Sequence, residues 1–551
     1  MYIMKKVYML LLAGVTLSAC SLDRFPHDAL STTTFPKTEK DIEMLAIGCY
    51  DGYVDQNYTV YNDVFSDNGY CAINKNFSIY ASGDATHETP GIGWFDYTTI
   101  TRCNNFLAQV ENTNIEFSNP QRLTQLKNEV RFLRAWRYYM MATAYGDVPL
   151  VTEVVKNLEE AKLPATPESE IAEFIIKETD EISQEGQLDV VPQESGRITR
   201  GAALALKMRT CLYYKKYEET IKAADDIIQL GIYDLYKQGD APYTSLFQEA
   251  NEDNCEIILA FKKAMNDYKN QTIIEFCNVN DGGWSAFVPI QDLVDAYEMK
   301  NGLTIEEAEL TGEYDPVHPY KNRDPRFYST ILFSGADWVN LNGVYRIYNT
   351  LDATIDGETN KDHRTYSTDA SQSGYTLRKY MNPLTQYTDI NNTGLDFIIF
   401  RYAEVLLSKA EALIELNRSG NDLDEACSLI NMVRNRAGMP NVDRSKYNDQ
   451  ARLRELLRRE RRVEFAFEGL RRCDIVRWGI AMEVLNGPIY GSNYGTVIMD
   501  ASIPEEERAV IKPGEENSVI LELRSLKNTY MPIPQTELDR NPNLKQTNLS
   551  Y

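Results

Sequence analysis

Histidine is scarce in this chain. Its 551 residues include four, His27, His87, His318 and His363, and no two are spaced as a metal pair, so hydrolytic zinc chemistry has little to build on. Positive charge is also in deficit. Lys and Arg number 57 against 81 Asp and Glu, a net charge of −24, and a chain this acidic repels phosphate backbones, which argues against nucleic-acid binding. The nine cysteines are too dilute for a disulfide framework, and no CxxC occurs. Beyond the N-terminus no segment reaches about 18 apolar residues without a charge. The nearest, 397–407, is broken by Arg401 and Glu404. Also missing are GxSxG, HExxH, a Walker loop, a dinucleotide-binding glycine turn and an EF-hand loop, and Asp356-Gly357-Glu358 is too short a fragment to argue for calcium. No motif selects a catalytic carboxylate pair among the acids, so a glycan-degrading enzyme is the lesser alternative to a binding protein. No cofactor is called for.

The N-terminus carries an address. Lys5 and Lys6 precede an apolar run of eleven residues, Val7 to Leu17, too short to span a bilayer, and Leu17-Ser18-Ala19-Cys20 follows. Small residues ending at a cysteine resemble the lipobox of bacterial lipoproteins. The expectation is a signal peptide over 1–19, starting at Met1 or Met4, and an acylated Cys20 as the first mature residue. Several acyl chains on one cysteine give a stable anchor. Cys49, Cys103, Cys211, Cys427 and Cys473 fall in helical patterns as small hydrophobes. Cys71, Cys255 and Cys277 are harder to place, and a Cys255–Cys277 bridge stays open.

Helical periodicity dominates both ends of the chain. Ile42, Leu45, Ala46 and Cys49 share a face, as do Leu126, Val130, Leu133 and Met140 before Gly146-Asp147-Val148-Pro149 stops the pattern. Segments 201–214 and 217–228 form a pair rich in small residues. Tyr217, Thr220, Ala224 and Ile227 find counterparts 206 residues later in Leu423, Ala426, Ile430 and Val433. Alanine at the crossing with large residues on either side is the pattern of tetratricopeptide-like stacks. Four candidate pairs emerge: 38–110, 121–185, 201–228 and 402–436. The predicted fold is mainly α, a helical-repeat scaffold interrupted by a large irregular insert. The predicted regions are 20–240, 241–395 (loop-rich) and 396–551.

Two constellations stand out. Residues 452–477 hold nine Arg and five acids, and as a helix they aim Glu460 at the core with Leu453, Leu456 and Val463. A buried carboxylate is expensive unless an arginine satisfies it, so a buried Arg–Glu network is expected around Glu460 or Glu464. The second is a set of loop aromatics among Asn and Gly: Tyr70, Phe77 and Tyr80 with Asn68, Asn74 and Asn76; Trp284 after Gly282-Gly283, with Phe287; and Trp338. Sugar C–H faces stack on aromatic rings while amides reach hydroxyls, so Trp284, Trp338, Tyr70, Asn74 and Phe287 are the candidate ligand contacts. Trp94 and Trp136 read as core.

Nine segments together resemble the SusD/RagB family of outer-membrane nutrient-binding lipoproteins. They are the lipobox at Cys20, FLRAWRYYMMATAYGDVPLV at 132–151, GRITRGAALALKMRTCLYYKKY at 196–217, NRDPRFY at 322–328, GYTLRKY at 374–380, RYAEVLLSKAEALIELN at 401–417, INMVRNRAGMP at 430–440, RRERRVEFAFEGLRRCDIVRWG at 458–479 and PIPQTELDRNPNLKQTN at 532–548. The resemblance implies a tetratricopeptide-like half and an irregular, substrate-facing half. It implies a SusC-like TonB-dependent β-barrel as partner, a lipid-anchored place on the outer membrane at the cell surface, and capture of oligosaccharides or, in some members, oligopeptides. The shared motifs are scaffold; binding residues differ between members.

Overall fold

The computed structural model describes residues 36–54, 58–71, 73, 75–111, 113–381 and 383–546. Cys20 and Asn74 lie outside the described residues.

Six helices build the first part of a stack: α1 (Glu39–Gly48), α2 (Thr98–Glu111), α3 (Pro120–Tyr145), α4 (Glu168–Ile182), α5 (Arg200–Tyr213) and α6 (Tyr217–Gln229). Their starts are written locally. Thr38 and Asp41 form a capping box on α1, Asn119 caps α3 with Pro120 in its first turn, and Thr199 caps α5. α3 ends at Gly146, whose φ of 73° lies in the region glycine favours. Three more helices follow much later in the chain: α7 (Tyr402–Leu416), α8 (Gly420–Arg436) and α9 (Gln450–Glu464).

Each helix packs on its predecessor, and α6 packs directly on α7 although about 170 residues of chain separate them. The crossings use small residues. Ala202, Ala203, Ala223, Ala224, Ala410 and Ala426 are all fully buried. Trp136, inside α3, is completely buried and stacks on Tyr139, and Trp94 is buried beside Tyr58. Arg209 of α5 makes a bidentate pair with Glu404 of α7, with Nε to Oε1 at 2.7 Å, and its guanidinium lies over Phe400 at 4.0 Å. The helical-repeat architecture expected from the sequence is present.

Strands appear in two-stranded pieces. β1 (Gly69–Cys71) pairs antiparallel with β3 (Phe287–Pro289); β2 (Ile257–Phe261) pairs with β6 (Phe397–Arg401); β4 (Asp337–Val339) pairs with β5 (Tyr345–Ile347); β7 (Asn486–Asn493) pairs with β8 (Ser518–Ser525). The β2–β6 ladder is the neck of the insert, because the chain leaves the stack through β2 and re-enters α7 through β6.

No disulfide joins any of the eight described cysteines. Cys277 is buried and Cys255 exposed, so the bridge left open by the sequence does not form.

The arginine-rich segment resolves into a buried ion network with Glu460 and Glu464 of α9 at its centre. Arg326 Nη1 reaches Glu460 Oε1 at 2.5 Å and Glu464 Oε2 at 3.0 Å, and Arg434 Nη1 reaches Glu460 Oε2 at 2.9 Å. Arg401 binds Glu464, Glu468 and Glu256, Arg436 binds Glu256 and Glu464, and Lys379 binds Glu468. All these side chains are 5% exposed or less. Arg326 and Lys379 belong to the insert, Arg401 to its neck, and Arg434 and Arg436 to α8. The network therefore clamps the insert onto the helical stack. Burial would raise the carboxyls of Glu460 and Glu464, but the surrounding arginines outweigh it and hold both below the usual carboxylate range.

Candidate ligand-binding site

The β1–β3 register sets the site. Tyr70 lies opposite Val288 and Cys71 opposite Phe287, so β1 lies against the strand that begins three residues after Trp284. Just before β3 the backbone turns tightly. Asn278 caps a single turn over Val279–Asp281, and Gly282 closes it with φ 83°. A Cβ on Gly283 would meet the Cys277 carbonyl oxygen at 2.2 Å, so only glycine fits there. Two backbone bonds then hold the return, Trp284 N–H to the Ile274 carbonyl at 2.8 Å and Ala286 N–H to the Glu275 carbonyl at 2.7 Å. The result lifts Trp284 outward, and 43% of it is exposed.

Polar side chains brace this loop from behind. Trp338 of β4 donates its indole N–H to Asp281 Oδ2 at 2.7 Å. Arg346 of β5 spans Asp281 at 3.1 Å, Asn278 Oδ1 at 2.5 Å and Asp362 at 2.6 Å. Asp362 in turn accepts from the backbone N–H of Asn280 at 3.0 Å and from its side-chain amide at 2.8 Å. Burial opposes the charge of Arg346, but Asp362 and Asp281 keep its pKa above the ordinary arginine value. The loop is pre-organised before any ligand arrives, which lowers the ordering cost of binding.

The candidate aromatics thus converge on one region but differ in what they present. Trp284 is an open platform. Trp338 is 7% exposed and Phe287 1%, so their rings support the loop and leave no free face. Tyr70 is half-buried, and burial pushes its hydroxyl pKa up. Sequence reasoning missed Asn278, Asp281, Arg346 and Asp362. They come from three separated segments, and nothing in their local spacing announces a shared network. Among the described residues no group of three or more His, Cys, Asp and Glu is placed to hold a metal ion.

These features sit on a chain that belongs to the SusD family, whose model matches residues 255–551. A second family model, described as starch-binding associating with outer membrane, matches residues 22–210. The chain is similar to SusD-like protein P25 of Formosa agariphila, at 25% identity over 92% of this chain and 96% of that one. Among solved structures it is similar to a SusD-like carbohydrate binding protein from Bacteroides fragilis (30% identity, TM-score 0.76, 92% of this chain and 99% of that one). A second SusD-like protein from Bacteroides fragilis aligns at 28% identity with a TM-score of 0.74, over 92% of this chain and 96% of that one. No helix among the described residues is long and apolar enough to cross a membrane.

Proposed function

We propose that this protein captures oligosaccharides without chemically altering them and passes them to a SusC-like TonB-dependent outer-membrane transporter. In this reading it is anchored through lipid on Cys20 and faces the cell exterior. The observation that carries the reading is Trp284, a half-exposed indole on a braced loop in a chain 30% identical to a carbohydrate-binding protein. An indole face stacks on sugar C–H bonds, and nearby amides and carboxylates suit hydroxyls. Tyr70, opposite Val288 in the β1–β3 ladder, and Asn74, which follows β1 in sequence, are the further proposed contacts. Trp338 and Phe287 contribute by holding the loop.

Affinity is expected on the order of micromolar to millimolar, since a flexible glycan loses entropy on a shallow platform. Calorimetry against a glycan panel should find a ligand for the wild type, and Trp284→Ala should weaken binding without changing the melting temperature. Recovery of the glycan unchanged in mass after incubation is expected of capture; shortened products would show an enzyme instead. Binding of oligopeptides and of no glycan would replace the ligand class while leaving the platform in place.

A further inference from the structure

A polar cavity of about 130 Å³ is set into the helical stack, between α1, α3 and the segment that joins α4 to α5. Ile47 reaches it from α1, Gln125 and Glu129 from α3, and Arg197 from the joining segment. It adjoins a more open groove of about 400 Å³, and Ile47, Glu194 and Arg197 line both. Tyr50, Tyr53, Phe261 and Tyr268 wall that groove, where the chain leaving α1 meets the end of β2. No residue of the 278–285 loop lines either space.

The frame of the cavity is braced. Tyr50 donates its hydroxyl to Glu129 Oε2 at 2.7 Å and accepts the Ile198 N–H at 3.0 Å. Arg122 pairs with Glu43 at 2.9 Å and with Glu129 at 3.4 Å. Gly196, at φ 84°, packs so closely on Lys262 that a Cβ would meet its Cγ at 2.6 Å. Within this frame two groups of opposite kind lack partners. Gln125 is 6% exposed. Its Nε2 donates to Asp189 Oδ1 at 2.6 Å, which fixes the amide, because an ionised carboxylate only accepts. Its Oε1 is left buried with no hydrogen-bond partner among the described residues. Arg197 Nε and Nη2 are buried in the same condition; Nη2 stands 2.8 Å from Glu129 Oε2 but out of line for a hydrogen bond. Buried polar groups are ordinarily paired, so a missing acceptor and a missing donor point to an occupant. A single bridging water needs only about 10–15 Å³, and the cavity has room for much more.

We infer that cavity and groove together form a second binding site, which takes one end of a neutral oligosaccharide. A sugar hydroxyl donates and accepts at once, so a vicinal pair satisfies Gln125 Oε1 and the Arg197 guanidinium together. A cation would satisfy only the first and an anion only the second. Glu129, the most buried acid of the wall, already has Arg122, Arg197 and Tyr50 around it. The following sugar units lie along the groove toward Tyr268. Its ring carries Lys263 Nζ on one face at 4.0 Å, yet the residue is still 51% exposed. Tyr268 stands edge-on to Phe261 at 6.0 Å, and Phe261 edge-on to Tyr53 at 6.0 Å, so the exposed ring rests on a fixed aromatic base. That the ligand is a glycan rests on the oligosaccharide reading; that the cavity takes hydroxyls rests on Gln125 and Arg197.

The test is calorimetry of the full chain, as wild type and as Trp284→Ala, with the tetramers of glucose (α-1,4 and β-1,4), mannose and xylose. At least one should still bind the Trp284→Ala protein, because the second site does not use that loop. In that background Ile47→Trp fills the junction of cavity and groove from a position 52% exposed. It should lower affinity by about tenfold or more, as should Tyr268→Ala. Gln125→Met, close in length but without the acceptor, should do the same, with melting temperatures confirming that each variant folds; the two exposed positions decide the matter should Gln125→Met unfold. Affinity should hold as salt is raised, since the ligand is neutral. No binding by the Trp284→Ala protein, or unreduced affinity in both Ile47→Trp and Tyr268→Ala, would overturn the second site whatever the platform does. Tetraalanine or tetragalacturonate binding here in place of every neutral tetramer would overturn the ligand class. Full wild-type binding in Trp284→Ala, lost on adding Ile47→Trp, would end the platform reading and leave this one standing.

Discussion

Single residues here do one of two jobs, presenting chemistry or holding the presenter still. Gly283 is of the second kind. Gly283→Ala places a methyl group 2.2 Å from the Cys277 carbonyl oxygen, so the loop must shift. The expected outcome is weaker glycan binding with Trp284 itself unaltered, read by calorimetry beside the Trp284→Ala variant. Glu464 is the sharpest stability probe. It is fully buried and accepts from Arg326, Arg401 and Arg436. Removing one partner of a buried pair leaves uncompensated charge, so Glu464→Ala should cost about 3–5 kcal/mol in chemical denaturation. A change within about 0.5 kcal/mol, as at an ordinary surface site, would rule out the clamp. Lys379 has the same sign of pH linkage as these acids, stability rising with pH, but in the alkaline range. Burial lowers its pKa from 10.5 to about 8, with Glu468 only partly compensating. Its protonated form therefore burdens the fold below pH 8, and that burden lifts between pH 8 and 10.5.

Among the elements, the helix crossings are the most constrained. Ala224 of α6 is completely buried, where α6 packs on α5 and α7. Ala224→Leu should overpack the crossing and cost about 1–3 kcal/mol, whereas the same change at exposed Lys222 should be nearly silent; thermal unfolding of the pair gives the comparison. Helices were the most legible part of the sequence, because caps and apolar spacing are local signals. Residues 94–110 carry helix-like apolar spacing with Tyr97, Ile100 and Leu107, yet Trp94 to Tyr97 lead into α2 in irregular backbone and the helix starts at Thr98. Apolar residues that pack on a core without being helical produce the same spacing. In the insert the strands are two to five residues long, too short for alternation to register.

At the scale of the whole molecule, the ion clamp joins the insert to the helical stack. Glu460 and Glu464 have depressed pKa values, so their stabilising contribution is complete above pH 4.5 and is lost as pH falls through the folded values. Acid titration followed by circular dichroism should show cooperative unfolding below that range, with a shallower pH dependence in Glu464→Gln. At the N-terminus, Cys20→Ala is expected to leave the chain unlipidated and absent from the membrane fraction. A variant that still partitions with membranes through its own N-terminus would end the lipoprotein reading.

The amino-acid order alone determined the helical-repeat scaffold, the burial of Trp94 and Trp136, and the inward turn of Glu460, since each follows from spacing within a few turns. It also carried the family resemblance, and the structure shows the physical basis. NRDPRFY, GYTLRKY, RYAE, INMVRNRAG and the arginine-rich segment lie far apart in sequence yet supply Arg326, Lys379, Arg401, Arg434 with Arg436, and Glu460 with Glu464 to one network. Only the tertiary structure decided which loop aromatic faces water. Trp284, Trp338 and Phe287 are equally apolar and equally flanked by turn residues, but β3 pairing encloses Phe287 and Asp281 draws Trp338 inward.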